Sequence, residues 1–426
     1  MTGRKLFKQL QKFDPDLCEV LKFSLDRQLS TLSLIATDNA ASPLSQYLKG
    51  SALGNDFIGH NALEHYSRIE QLAVNRACEL FQAEHAILRI GNLIAASRVV
   101  LMALAKSGDK ILSFNLRKSE HCTGEQMKYN FVKFAVEPHN LKINFDAVKY
   151  LALKHKPTLI IYSPVNYPKN IDYRKLQKIS AEVGAKLWID LGQNAGLVAA
   201  KKIESPVPFA DVVTFAGSDG LHGPQSGIIL CKKNLAELLE KTVIETGHAS
   251  LKKNVLAALA ITFREVGCEE YSDYAQAVLE NARALEKGLK ESGAELFGSP
   301  TENHLVLVKL DVENFSAVEK LEQAGLLVQA ENLLTSDDKI FHSILRLSSL
   351  DPTTRALTED DMFKVGVTLG EFLKSKKDAD AIKKVQKFVE RTVENLPLFS
   401  EDWLPEDEII NDRDADLMIK TMVYGM

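Results

Sequence analysis

Short apolar runs alternate with segments of helical period through the middle of the chain. The runs "DKILSF" (Asp109–Phe114), "TLIIYSP" (Thr158–Pro164), "AKLWIDL" (Ala185–Leu191), "DVVTFAG" (Asp211–Gly217) and "SGIILC" (Ser226–Cys231) predict buried strands. Between them, segments such as "DYRKLQKISAEVGA" place apolar residues at helical spacing with a glycine near the end. Alternating strand and helix predicts an α/β fold with a mostly parallel sheet. A long helical region over about Leu251–Ser292 follows. "NHLVLVKL" (Asn303–Leu310), "GLLVQA" and "ILRLS" then predict a smaller second α/β unit. The expected organisation is an N-terminal helical arm at 1–45, a large domain at 46–268, a small C-terminal domain at 269–400 and an acidic extension at 401–426.

The longest apolar stretch, "AILRIGNLIAASRVVLMALA" (86–105), carries Arg89, Asn92 and Arg98. Those interruptions disfavour a membrane span and predict a half-buried helix. The N-terminal "MTGRKLFKQLQKFDPDLCEV" has the pattern of an amphipathic helix and lacks the apolar core of a secretory signal, so a cytoplasmic protein is expected.

The 426 residues suffice for two or three domains. Hydrophobic residues make up 45% and charged residues 26%, as in ordinary globular proteins. A net charge of −5, with Lys and Arg scattered, predicts no nucleic-acid partner. Five cysteines, odd in number and widely spaced, predict reduced thiols, and no CxxC pair points to zinc. "HNALEH" (His60–His65) lacks the i, i+4 spacing of a helical zinc site, so no metal is expected. There is no GxGxxG and no Walker loop.

Several segments, in order, resemble the serine hydroxymethyltransferase family, pyridoxal-phosphate enzymes of fold type I. "LIATDN" (Leu34–Asn39) is similar to the family's L-I-A-S-E-N. "EQLAVNRACELFQAEHA" and "WIDLGQNAGLVAA" resemble two further family segments. "SPVPFADVVT", "ENHLVLVKL" and "LRLSSLDPTTR" (Leu345–Arg355) resemble three more. The resemblance implies a fold-type-I, aminotransferase-like architecture and serine–glycine one-carbon chemistry with tetrahydrofolate.

The departures fall on that chemistry. The family's lysine segment, T-T-T-T-H-K-T-L-x-G-P, here reads "TFAGSDGLHGP". Thr214, Leu221, Gly223 and Pro224 persist, Ser218 replaces the histidine, and Asp219 occupies the lysine position. That lysine forms the Schiff base with the cofactor, and only an amine condenses with an aldehyde to an imine. A carboxylate beside a phosphorylated cofactor is also repelled, by roughly 4 kcal/mol at about 4 Å and an effective dielectric near 20. The phosphate-binding S-G-S becomes Asn92-Leu93-Ile94, and the partner subunit's Gly-Gly has no clean match near "ETGHASLKK". In "LGNDFIGHNALEHY", Phe57 stands for a tyrosine and Gly59 for the catalytic glutamate; Gln193 replaces the histidine after the cofactor-binding aspartate.

Three positions match. The resemblance implies that Asp190 pairs with the pyridinium nitrogen, His121 stacks on the cofactor ring and Arg346 clamps the substrate carboxylate. The residues themselves allow plainer roles: a helix cap for Asp190, a satisfied polar residue for His121, an ion pair, even with Asp219, for Arg346.

The expectation is a degenerate member with no catalytic residues and with no cofactor or only weak noncovalent pyridoxal phosphate. It would act as a homodimer, or as a heteromer with an active paralogue. Two alternatives stand beside it. One is a lysine-free cleft repurposed for a small amino acid or anion. The other is residual activity through a displaced lysine such as Lys201 or Lys202.

Overall fold

The computed structural model describes residues 3–55, 60–114, 129–138, 141–248, 252–310, 316–375 and 379–404, with the side chains of 3–5, 60–66 and 316 excepted. A seven-stranded sheet forms the centre. Its spatial order is His85–Ile90, Gly227–Cys231, Val212–Ala216, Lys186–Asp190, Leu159–Tyr162, Lys110–Phe114 and Asn130–Phe134. The last five strands run parallel, and Gly227–Cys231 is antiparallel to both of its neighbours. All five predicted strands are present.

Side-chain alternation explains why these runs read as continuously apolar. Leu159 and Ile161 enter a core beneath helices Leu93–Leu104 and Lys233–Glu245. Ile160 and Tyr162 enter the core on the opposite face, where helices Tyr173–Val183 and Lys253–Val266 lie. A parallel sheet covered on both faces has no solvent side, so the polar half of the usual alternation disappears. Helices Leu93–Leu104, Phe145–His155 and Tyr173–Val183 begin at side-chain caps. Asp172 accepts from the Arg174 backbone N–H at 3.0 Å, and Gly184 ends that helix in the left-handed region at φ 71.

The stretch 86–105 departs from the expected single helix. Its first residues form the edge strand His85–Ile90; after Gly91 and Asn92 the helix Leu93–Leu104 begins. The N-terminal segment is likewise two helices, Gly3–Phe13 and Pro15–Ser30, divided at Asp14. Pro15 supplies the break, since it opens the second helix where its missing N–H costs nothing.

The second sheet is antiparallel, in the order Gln329–Leu334, Ile340–Ser348, Leu305–Leu310, Leu296–Phe297. It lies against helices Glu269–Glu291 and Glu359–Lys374. These two helices approach closely because glycines face each other: a Cβ on Gly288 would sit 2.1 Å from the Phe363 carbonyl oxygen, and one on Gly366 2.4 Å from that of Leu285. Helix Glu269–Glu291 serves both cores. Tyr271, Tyr274 and Val278 pack with the large sheet, while Ala282, Leu285 and Leu289 pack with the small one. Strand Leu32–Ser33 pairs with Leu326–Leu327, tying the N-terminal segment to the second unit. Among the described residues, no helix is long and apolar enough to cross a membrane.

Candidate functional site

The carboxyl ends of parallel strands point into a crevice, the usual place for a site in an open α/β sheet. Asp190 ends strand Lys186–Asp190 there and is 1% exposed. Its Oδ2 accepts from the Ser163 hydroxyl at 2.9 Å. Its Oδ1 takes longer hydrogen bonds from the Gly192 N–H and the Thr214 hydroxyl, each at 3.3 Å. Thr214 in turn accepts from the Trp188 indole at 2.9 Å. Asp190 is thus held by its neighbours on adjoining strands.

Asp219 follows strand Val212–Ala216 and opens a single 3-10 turn, Asp219–Leu221. It sits in the left-handed region at φ 55, as does His222 at φ 59. The surroundings over-determine this turn. Asn39 donates to the Asp219 carbonyl at 2.8 Å, Tyr271 donates to the Gly220 carbonyl, and the Gly223 N–H closes on the Gly217 carbonyl at 3.0 Å. Thr354 donates to Asn39 Oδ1 at 2.6 Å and lies 3.0 Å from Nε2 of His222. His222 is buried against the Tyr271, Tyr274 and Phe399 rings, and that burial pushes its pKa down to about 3.

The Asp219 carboxyl points back toward the crevice. Ser218 donates to its Oδ1 at 3.0 Å, and Gln193 lies near it. Burial raises its pKa to about 6; Ser218, Gln193 and Arg346 pull it down, and Asp38 adds to the rise. Arg346, on strand Ile340–Ser348, is 1% exposed. Its Nε donates to the Val165 carbonyl at 3.1 Å and its Nη2 to Gln193 Oε1 at 2.9 Å. Gln193 therefore binds Arg346 and lies near Asp219. The structure brings Asp190, Asp219, Gln193 and Arg346 to one crevice.

His304 is buried close to this group. One ring nitrogen meets Asn194 Oδ1 at 3.1 Å, and burial, aided by Arg346, pushes its pKa down to about 3. A buried imidazole with so low a pKa is neutral at physiological pH. Asp351 is pushed up to about 7, by burial first and by Asp38, against the pull of Arg355.

His121, Phe57 and Gly59 lie outside the described residues, as do the side chains of "HNALEH". Among the described residues, no group of three or more His, Cys, Asp or Glu is placed to hold a metal. Lys201 lines a pocket that shares no residue with the crevice group. Sequence reasoning missed Ser163, Asn39, Tyr271 and Thr354, which fix the crevice. Ser163 had a visible signal, a polar residue directly after a buried strand. Asn39 and Thr354 lie inside the family-like segments "LIATDN" and "LRLSSLDPTTR", which mark them without giving a role, and Tyr271 gave no signal.

This architecture and crevice place the chain in the fold-type-I class of α/β proteins. The family model for serine hydroxymethyltransferase matches residues 10–369. A serine hydroxymethyltransferase of Rhodopirellula baltica is 32% identical over 407 residues, covering 91% of this chain and 97% of the relative. The chain belongs to the serine hydroxymethyltransferase family.

The residues at the crevice do not fit a covalently held pyridoxal phosphate. The position that by resemblance matches the anchoring lysine carries Asp219, and a carboxylate cannot form an imine. At the helix N-terminus where the phosphate would sit, Asn92 caps the helix itself: its side chain accepts from the Ala95 N–H at 2.8 Å. One donor that an anion would need is thereby taken. Leu93 and Ile94 add apolar side chains beside it.

Proposed function

We propose that this protein is a pseudoenzyme of its family. In this reading it has lost covalent cofactor binding and serine–glycine one-carbon transfer, and works as a binding or regulatory subunit. The observation that carries the reading is the Arg346–Gln193 hydrogen bond beside Asp219. The arginine matching the substrate clamp is hydrogen-bonded within the protein, and the residue in the lysine position is a carboxyl that feels both of them. A ligand carboxylate would have to displace Gln193 and would meet the Asp219 charge nearby.

The partner surface in this reading is the N-terminal segment. Phe13, Phe23 and Val20 are 93%, 71% and 61% exposed, and Leu17, Leu21 and Leu25 are exposed as well. Apolar side chains gathered on two short helices are a contact surface awaiting a partner. A second copy of this chain, or a related subunit, is the partner proposed, since oligomer interfaces are commonly self-complementary.

The test is a titration of the purified chain with pyridoxal phosphate, with absorbance read before and after borohydride. No reducible band is expected. A saturable band that borohydride fixes covalently would overturn the proposal and direct peptide mapping to the lysine responsible. Tight saturable binding without fixation would also overturn it, in favour of a lysine-free site with retained chemistry, whereas weak noncovalent binding agrees with it.

A further inference from the structure

A pocket of about 480 Å³ opens between helix His60–Phe81, helix Lys253–Val266 and the turn after Ala195–Ala199. Arg76, Arg264 and Lys201 line it, with Glu79 as a carboxylate in the lining. Three positive charges against one negative is a local surplus in a chain whose net charge is −5. None of the three basic side chains has a carboxylate partner among the described residues, whereas Arg27, Arg89 and Arg174 pair with Glu322, Glu70 and Glu204. Arg76 is aimed by its Nη1, which donates to the Ala260 carbonyl at 2.6 Å and leaves other guanidinium donors to spare. Lys201 is held at φ 58, in the left-handed region that glycine occupies without steric cost. That conformation closes helix Ala195–Ala199, the Lys201 and Lys202 N–H groups meeting the Val198 and Leu197 carbonyls, and it sets the lysine side chain in the pocket lining.

We propose that this pocket binds a phosphorylated small molecule. The two guanidiniums take the phosphate, for which their forked donors are suited, and Lys201 adds a charge at the exposed rim. The volume lies in the range of small-molecule sites and exceeds what a lone phosphate fills. Leu80 and Phe263 supply apolar lining for an organic body. The site uses no residue of the crevice, so it stands or falls independently of the pseudoenzyme reading.

Calorimetric titration of the full chain with phenyl phosphate, and separately with inorganic phosphate, tests this. Saturable one-site binding is expected, tighter for phenyl phosphate. Arg264→Ala, a change at an exposed side chain, should weaken it about tenfold, the loss of one charge-assisted contact. Lys201→Gly should weaken binding severalfold while raising the melting temperature, because glycine relieves the backbone. A purely structural lysine would not produce that opposite pair of effects. No saturable binding of either probe up to about 10 mM overturns the proposal, that being far weaker than a functional site requires. Binding unchanged in both variants places the probe elsewhere and overturns it equally. Equal affinity for the two probes overturns the organic body.

Discussion

Arg346 donates from Nη2 to Gln193 Oε1 at 2.9 Å, close to the Asp219 carboxyl. The amide oxygen of a glutamine supplies an acceptor to this buried guanidinium. Gln193→Ala should leave a buried guanidinium donor short of an acceptor. The expected cost is about 1–3 kcal/mol in chemical denaturation. A variant as stable as the parent would mean that this hydrogen bond is incidental.

Asp219 gives a pH signature with a definite sign. Its folded pKa, about 6, lies above the ordinary 3.8, so the folded chain holds that proton more tightly than the unfolded chain does. The stabilisation is complete below 3.8 and is lost as pH rises through about 6. His222 and His304, pushed from 6.5 down to about 3, act oppositely: their contribution is present above 6.5 and is lost as pH falls toward 3. The parent profile sums both, so the informative quantity is a difference. Asp219→Asn, whose side chain also tolerates the left-handed region, should gain stability relative to the parent as pH is raised from 3.8 to about 6. Parallel melting profiles for the two proteins would remove the buried, raised carboxyl from the account.

The strands were legible because each is a short apolar run bounded by polar or turn residues, as with Leu159–Tyr162 before Ser163. The edge strand His85–Ile90 was not. It runs into helix Leu93–Leu104 through only Gly91 and Asn92, and an apolar stretch with so little punctuation has no readable period. At the crevice, the family pattern exposed Asp219 by what it replaced, and it marked Gln193 only as a substitution. The role of Gln193 depends on Arg346, 153 residues later, being folded back onto it. Tyr271 and Tyr274 fall in the long predicted helical region with nothing to single them out, although their hydroxyls reach the turn after Asp219 and the residues around it. Contacts of such sequence separation are set by the tertiary fold and leave no local trace.

Asn92 acts in the structure as a helix cap. Asn92→Ala should therefore destabilise the chain by about 1 kcal/mol, the usual worth of such a cap. Asn92→Asp should retain that stability, since its carboxylate accepts the same Ala95 N–H and favours the positive end of the helix dipole. Denaturant midpoints of the two variants check this. If alanine were harmless, the position would be an uncommitted helix N-terminus, open to an anion after all.

The N-terminal helices give the remaining prediction. Phe13 and Phe23 are almost wholly and largely exposed, and each stands on a helix with further exposed apolar side chains, Leu6 and Phe7 on the first and Leu17, Val20 and Leu25 on the second. Burying one phenylalanine side chain is worth about 1.5–3 kcal/mol. Two such residues from each of two subunits would therefore dominate an association through this surface. Phe13→Ser with Phe23→Ser should shift the protein toward monomer in analytical ultracentrifugation. Its melting temperature measured at high dilution should barely move, because solvent already surrounds both rings in the single chain. If the double variant sediments as the parent does, association takes place through some other surface. If the diluted variant instead unfolds early, these side chains belong to the packing of the chain itself. A shift to monomer at constant intrinsic stability identifies the arm as the contact surface that the proposed scaffold role requires.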